Sequence, residues 1–397
     1  MVARIVIAPD SFKGTLDAAA AAAAIADGWA SVRADDDLLL LPQADGGEGT
    51  LDAIAAATPG ARVLDAGLVT GPHGAPVPAH WLQLPDGTAV VELAVSSGIT
   101  LMLELDALGA TTRGLGEVIR RAVEEGASRL VIAAGGSAST DGATGALAAL
   151  GARFLDADGR ELPDGGGALA RLATIDVSGL VAVPPARVLS DVTAPLTGPG
   201  GAAAVFGPQK GATPEDVEAL DAALARLAEV SSGARARAPH EGGAGANALG
   251  SSGSPPLAQA IDERTPGGGS AGGTGYGLAA FLGARIEPGA AAIADLTGLS
   301  AALGTADLVV TGEGRYDAQS SIGKVAGHAI AAARAAGARV AVVAGALGSD
   351  AVLDAARGGP DELLVLADLA GGADRAIAEP ARWLREAGAG LATAFSP

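Results

Sequence analysis

Short runs of Val, Ile and Leu recur along the chain, separated by stretches in which apolar residues return every three to four positions. The runs predict strands at 4–8, 38–41, 62–64, 90–93, 130–133, 188–189, 308–311, 340–344 and 363–366. The stretches between them predict helices at 15–32, 50–57, 112–125, 142–150, 214–230, 275–282, 323–336 and 375–387. Strands that are apolar on both faces lie buried between two layers. The alternation therefore predicts an α/β fold with a mostly parallel sheet and helices on both sides. One segment, 67–98, breaks the rhythm. Its prolines, its Pro85-Asp86-Gly87 turn and its alternating apolar positions predict an antiparallel or mixed piece that opens a second domain. A chain of 397 residues also exceeds what one core ordinarily carries, which predicts two domains. The stretch 231–270, rich in Gly, Ala, Ser and Pro, predicts a mobile surface loop.

Composition narrows the functions such a fold could serve. A formal charge of −19 argues against nucleic acid, whose phosphates would be repelled over most of the surface. The alanine run 18–24 lies inside an amphipathic pattern and is too short to span a bilayer, so no membrane partner is expected. No basic region followed by an apolar segment and a cleavage site opens the sequence, and a cytoplasmic location is expected. The absence of cysteine fits a reducing compartment and rules out disulfides, thiolate metal sites and a cysteine nucleophile. Four histidines without a close pair leave no His-based zinc motif. An acidic protein that binds anionic metabolites must concentrate positive charge locally. Only three of the 26 basic residues are lysines, and Lys13, Lys210 and Lys324 each stand beside a glycine or one position from it. Where arginine is the habitual cation, a retained lysine points to a need for a compact ammonium.

The most polar and glycine-rich words follow the predicted strands, where open α/β sheets bind ligands. After the first strand come Asp10, Ser11 and Lys13; after the second, Asp45, Gly46, Gly47 and Glu48. The strand at 130–133 runs into Gly135, Gly136, Ser137 and Asp141, that at 188–189 into Asp191, and that at 308–311 into Glu313 and Asp317. Phosphoryl transfer needs these ingredients. Backbone N–H groups hold phosphate oxygens, lysines offset developing charge, and carboxylates hold Mg²⁺ or orient the acceptor hydroxyl. Familiar nucleotide motifs are absent: Gly323-Lys324 has Ala318 where a P-loop needs glycine, and the GxGxxG at 267–272 follows Arg264-Thr265-Pro266 rather than a strand.

Taken in order, the words at residues 5–15 (IVIAPDSFKGT), 44–50 (ADGGEGT), 92–98 (ELAVSSG), 111–117 (TTRGLGE), 135–142 (GGSASTDG), 191–196 (DVTAPL), 205–212 (VFGPQKGA) and 307–314 (DLVVTGEG) resemble the bacterial glycerate kinase family of the type that makes 2-phosphoglycerate. The likeness spans nearly the whole chain. It departs from the family at Thr140 and Ala194, where asparagine is usual, at Ala143, where glycine is usual, and at Ser190, where cysteine is usual.

The resemblance implies ATP and Mg²⁺, with D-glycerate as acceptor and 2-phosphoglycerate as product. It also implies two α/β domains with the active site in the cleft. Residues 1–65 and 285–397 would form a Rossmann-like parallel-sheet domain, and 66–284 an inserted mixed α/β domain, in a monomer or homodimer. On this reading Lys13, Asp45, Asp191 and Lys210 are the catalytic candidates. Lys13 with Ser11 would bind the acceptor carboxylate or the transferring phosphate. Asp191 or Asp45 would orient the hydroxyl, and Lys210 would offset charge on the transferred group. Gly135, Gly136, Ser137, Asp141 and Lys324 would hold ATP. Asp10, Ser11, Gly46, Gly47 and Glu48 would contact the substrate, and Glu313 and Asp317 would serve the metal. Three alternatives stay open. The acceptor could be a related sugar acid, motivated by Thr140 and Ala194, the product could be the 3-phosphate, or the chain could be a two-domain metabolite sensor that closes without turnover.

Overall fold

In the computed structural model, residues 2–237, 261–321, 324–349, 351 and 359–396 are described. They form two compact units, one from Met1–Arg62 with Pro288–Pro397 and the other from Val63–Glu287.

The strands in chain order are β1 (Arg4–Ile7), β2 (Asp37–Leu40), β3 (Arg62–Thr70), β4 (Pro76–Gln83), β5 (Thr88–Glu92), β6 (Arg129–Ala133), β7 (Arg153–Leu155), β8 (Thr174–Asp176), β9 (Ala186–Leu189), β10 (Arg285–Glu287), β11 (Leu308–Tyr316), β12 (Arg339–Leu347) and β13 (Glu362–Val365). The first unit carries a five-stranded, wholly parallel sheet in the order β2-β1-β11-β12-β13. Alternation along β1 builds its two cores. Ile5 and Ile7 pack with Trp29 of the helix Ala18–Val32 and Leu384 of the helix Pro380–Ala394. Val6 and Ala8 pack instead with Ala294 of the helix Gly289–Leu296 and Ile330 of the helix Val325–Ala335. Period-two burial on both faces is what a doubly wound sheet requires. This strand order reverses direction between β1 and β11, which makes the carboxyl ends of those two strands the switch point where such sheets bind ligands.

The second unit holds a six-stranded mixed sheet, β10-β9-β6-β5-β4-β3, and a small β7-β8 ribbon. Strands β5, β6, β9 and β10 run parallel, and β4 pairs antiparallel with β5 across the Pro85-Asp86-Gly87 turn. The helices Arg113–Glu124 and Thr144–Ala149 pack on it through Leu115, Ile119, Ala146 and Leu147.

The structure departs from expectation in several places. The strands expected at 308–311 and 340–344 run on to Tyr316 and Leu347, so that Glu313 lies within β11, and the apolar runs predict none of β7, β8 and β10. The helix predicted at 214–230 continues to Arg237, so the expected loop begins later, and 238–260 lie outside the described residues. Ser231 is buried there, its hydroxyl 2.5 Å from that of Tyr276, which ties the extra turn to the core. Residues 261–269 are ordered turns leading into the helix Ser270–Leu282. The single helix expected at 375–387 is two, Ala373–Ala378 and Pro380–Ala394, because Pro380 can open a helix but cannot continue one.

Candidate functional site

The first unit gathers most of the sequence candidates around one cavity of about 540 Å³ at the carboxyl ends of its strands. Asp10, Ser11, Lys13, Asp45, Glu313, Asp317 and Lys324 all line it. The loop after β1 is held to β11 past the strand end: Ala8 donates its N–H to the Val310 carbonyl at 2.7 Å and Asp10 to that of Gly312 at 2.8 Å. Beyond Asp10 the chain makes a tight turn in which Phe12 is buried and Thr15 donates its N–H to the Phe12 carbonyl at 2.9 Å. Lys13 sits exposed in this turn, followed by Gly14 at φ +77°, a value that favours glycine. Close approach is built into the floor as well. A side chain at Gly345 on β12 would run into the Gly314 carbonyl on β11, and both glycines line the cavity.

Two carboxyls here lie far from their ordinary range. Burial, then the neighbouring Asp45, pushes Asp10 up to about 6, against the pull of Ser11 N–H and Lys13. The Ser11 N–H donates to Asp10 Oδ1 at 2.6 Å. Burial likewise pushes Glu313 up to about 7, opposed by Ser320 and Lys324. Glu313 is 8% exposed, and its Oε1 has no hydrogen-bond partner among the described residues. Such an orphaned carboxylate oxygen is costly unless a cation or donor arrives to meet it. Asp317 is differently placed. It accepts from the Ser320 N–H at 3.3 Å and lies 3.7 Å from Arg315 Nε. Asp45 accepts from the Gly47 N–H at 3.0 Å and so shapes its own loop. Gly46, Gly47 and Glu48 do not line the cavity, and Glu48 is exposed.

The remaining candidates belong to the second unit. Gly135 and Gly136 follow β6 at its carboxyl end, with Gly136 exposed and at φ +74°. Ser137 turns inward, accepting from the Ser139 N–H at 3.1 Å. Asp141 is fully buried. It accepts from the Thr112 N–H at 2.9 Å, the Thr112 hydroxyl at 2.8 Å and the Gly145 N–H at 3.2 Å, while burial raises its pKa. Asp141 thus ties the loop to the start of the helix Arg113–Glu124 rather than presenting itself to a ligand. Lys210 is also buried. Its ammonium donates to the Ser139 carbonyl, and burial lowers its pKa to about 8 although Asp141 favours the charged form. Both residues, expected from sequence to touch ATP or the transferred group, brace the 135–142 loop from beneath. Lys210→Met should accordingly cost about 1 kcal/mol in chemical denaturation, because the buried Ser139 carbonyl loses its charged donor and keeps only the Ser137 hydroxyl at 3.3 Å. Unchanged stability would remove the bracing role. Asp191 follows β9, half-buried, in the turn where the Ser190 hydroxyl accepts from the Val192 N–H at 3.3 Å.

Two departures from the family words have structural consequences. Ala143 adopts φ +66°, where a methyl costs about 1 kcal/mol that glycine would not. Thr140 is wholly buried, with its hydroxyl unpartnered among the described residues. Sequence reading missed the cavity residues Arg315, Leu366, Ala376 and Ile377. Arg315 lay inside a polar word and was overlooked beside its acidic neighbours; the other three belong to ordinary amphipathic patterns. Among the described residues, no helix is long and apolar enough to cross a membrane, and no group of three or more His, Cys, Asp and Glu stands ready to hold a metal.

Comparison with known proteins agrees across the whole chain. The glycerate kinase family model matches residues 5–396. A glycerate kinase of Bacillus subtilis is 42% identical over 353 residues, 87% of this chain and 86% of that one. The glycerate 2-kinase of Escherichia coli is 42% identical over 329 residues, 81% of this chain and 80% of that one. A crystal structure from Salmonella typhimurium LT2, assigned as glycerate kinase 2, superposes with a TM-score of 0.81 at 37% identity, covering 99% of this chain and 98% of that one.

Proposed function

We propose that this chain, which belongs to the glycerate kinase family, transfers the γ-phosphoryl group of ATP to the 2-hydroxyl of D-glycerate, giving 2-phosphoglycerate and ADP. Membership makes it an enzyme that phosphorylates a hydroxyl group of a small molecule. The choice of the 2-hydroxyl is supported by the name of the E. coli relative. The observation that carries the assignment to a place is the first-unit cavity, where two lysines and an arginine share walls with Asp10, Asp45 and a buried Glu313 whose Oε1 lacks a partner among the described residues.

The groups fit the reaction. Phosphoryl transfer spreads negative charge over the equatorial oxygens of the moving group, and fixed cations there stabilise the transition state more than the ground state. Lys13, carried on a turn pinned by Phe12, is the cation best placed to do this, with Lys324 and Arg315 beside it. Asp45 or Asp10 accepts the proton of the acceptor hydroxyl as its oxygen attacks phosphorus. Asp10, raised to about 6, is the better matched base near neutral pH. The bond from phosphorus to the β,γ-bridging oxygen breaks, and ADP leaves with that oxygen.

The donor set also fits Mg²⁺, a hard ion that takes carboxylate oxygens. Glu313 would hold it, since Asp10 is left to the acceptor hydroxyl and Asp317 is already engaged by Ser320 and Arg315. When bound, the ion would neutralise charge on the β- and γ-phosphates.

The test is ³¹P NMR of the purified protein with ATP, Mg²⁺ and D-glycerate. A 2-phosphoglycerate resonance is the expected result. A 3-phosphoglycerate resonance would correct the site of transfer, and no product from folded protein would move the acceptor to another sugar acid.

A further inference from the structure

The first-unit cavity has two unlike halves. One is lined by the charged groups described above, at the carboxyl ends of β1 and β11. The other is apolar: Ala346, Leu366, Ala376, Ile377 and Pro380, from the end of β12 and the segment after β13. Leu366 is 1% exposed and forms part of the core, whereas Ile377, on the short helix Ala373–Ala378, is 60% exposed. We propose that this apolar half receives the base and sugar of an adenosine nucleotide, whose phosphates then run along the strand ends toward Lys13, Arg315 and Lys324. The inference rests on the kinase reading and goes further by giving the nucleotide a place and an orientation.

Three observations support it. First, a three-carbon hydroxy acid is charged or hydroxylated at every carbon, so it has no use for an apolar wall and would leave most of about 540 Å³ unfilled. An adenosine nucleotide is charged at one end and flat and weakly polar at the other, which matches the division of the walls. Second, in a sheet of this order a ligand lies across the carboxyl ends at the switch point. With its phosphates over β1 and β11, an elongated ligand reaches the ends of β12 and β13 with its other end. Lys324 directly precedes the 11-residue helix Val325–Ala335, so the positive end of that helix adds to the field at the phosphate side. Third, the loop expected from sequence to hold ATP has committed its side chains elsewhere. Ser137, Asp141 and Lys210 in the second unit are buried and bonded internally, which leaves the exposed Lys13 and Arg315 and the half-buried Lys324 in the first unit.

Ile377 is the residue to change, because its exposure means that a polar replacement removes little core. Calorimetric titration with ADP in the presence of Mg²⁺, and with uncharged adenosine as competitor, reads the pocket directly. We expect wild-type protein to bind ADP and adenosine to compete. Ile377→Asn should weaken ADP about tenfold and Ile377→Leu hardly at all, with the KM for glycerate unchanged in both. If Ile377→Asn binds ADP as tightly as wild type while the protein still turns over ATP, the base lies elsewhere and this inference falls alone. A raised KM for glycerate with unchanged ADP affinity would give the apolar half to the acceptor and overturn it too. Wild-type protein that binds no adenosine nucleotide would overturn both the inference and the ATP-dependent reading beneath it.

Discussion

Lys13→Met should lower kcat about a hundredfold or more while leaving the protein folded. Lys13 stands exposed in a turn whose order comes from other groups: the buried Phe12 ring, the Thr15 hydroxyl donating to the Phe12 carbonyl at 2.6 Å, and Gly14 in the left-handed region. Removing the ammonium deletes none of these, so stability should move by no more than about 0.5 kcal/mol. What is lost is a cation beside the phosphoryl group as its charge redistributes. Losses of single electrostatic stabilisers in water-excluded sites commonly cost a hundredfold or more. The division between constants tells where the interaction is made. A fall in kcat with KM for ATP unchanged means that Lys13 acts in the transition state, while a rise in KM with kcat intact means ground-state binding alone. Lys13→Arg should recover only part of the loss, because a planar fork cannot reproduce a compact charge on a short turn. Near-normal turnover in a folded Lys13→Met protein would remove Lys13 from the mechanism.

Much of this site could be read from residue order alone, for a specific physical reason. Buried parallel strands are short unbroken apolar runs, and function concentrates at their carboxyl ends, so the words after β1 and β2 and in the last part of β11 stood out as polar and glycine-rich against their surroundings. Local pattern does not encode which strands are neighbours. The order β2-β1-β11-β12-β13 depends on pairing across some 300 residues of chain, as between Ile7 and Val310, and only that order reveals β1 and β11 as the switch point. Nor does polarity in a sequence reveal burial. Asp141 and Lys210 read as ligand contacts because they are charged and lie beside glycines, yet each is enclosed and satisfied by Thr112 or Ser139. The opposite error hid Ile377. An isoleucine in an amphipathic pattern is taken for core, and only its exposure beside a charged cavity marks it for another role. Glu313 and Asp317 could not be ranked from sequence either. Their difference lies in partners: Asp317 has Ser320 and Arg315, and Glu313 keeps an oxygen free of any among the described residues.

That unmatched oxygen leads to an expectation in which activity and stability move in opposite directions. Glu313→Gln should abolish turnover and yet make the metal-free protein more stable at pH 8. The folded-state pKa of Glu313, about 7, lies above its ordinary 4.5, so the folded protein holds this proton more tightly than the unfolded chain does. Stability is therefore lost as pH rises through the interval from about 4.5 to 7, and the full penalty, on the order of 3 kcal/mol, is present above it. Asp10, raised to about 6, acts in the same direction. A glutamine of the same shape never ionises. Denaturation of the variant should consequently show a higher midpoint than wild type at pH 8, and the two should converge near pH 4. Mg²⁺ gives an independent reading, because an ion bound by the folded protein alone stabilises it by mass action, about 1.4 kcal/mol at tenfold excess over its dissociation constant. It should raise the melting temperature of wild type and leave Glu313→Gln almost unmoved. If the variant is less stable than wild type at pH 8, the carboxyl is not strained by burial. If Mg²⁺ stabilises both proteins equally, the ion is held by other oxygens. On the proposed reading, the stability that an ionised, buried Glu313 costs would be regained on binding the metal, which is why the two measurements should move together.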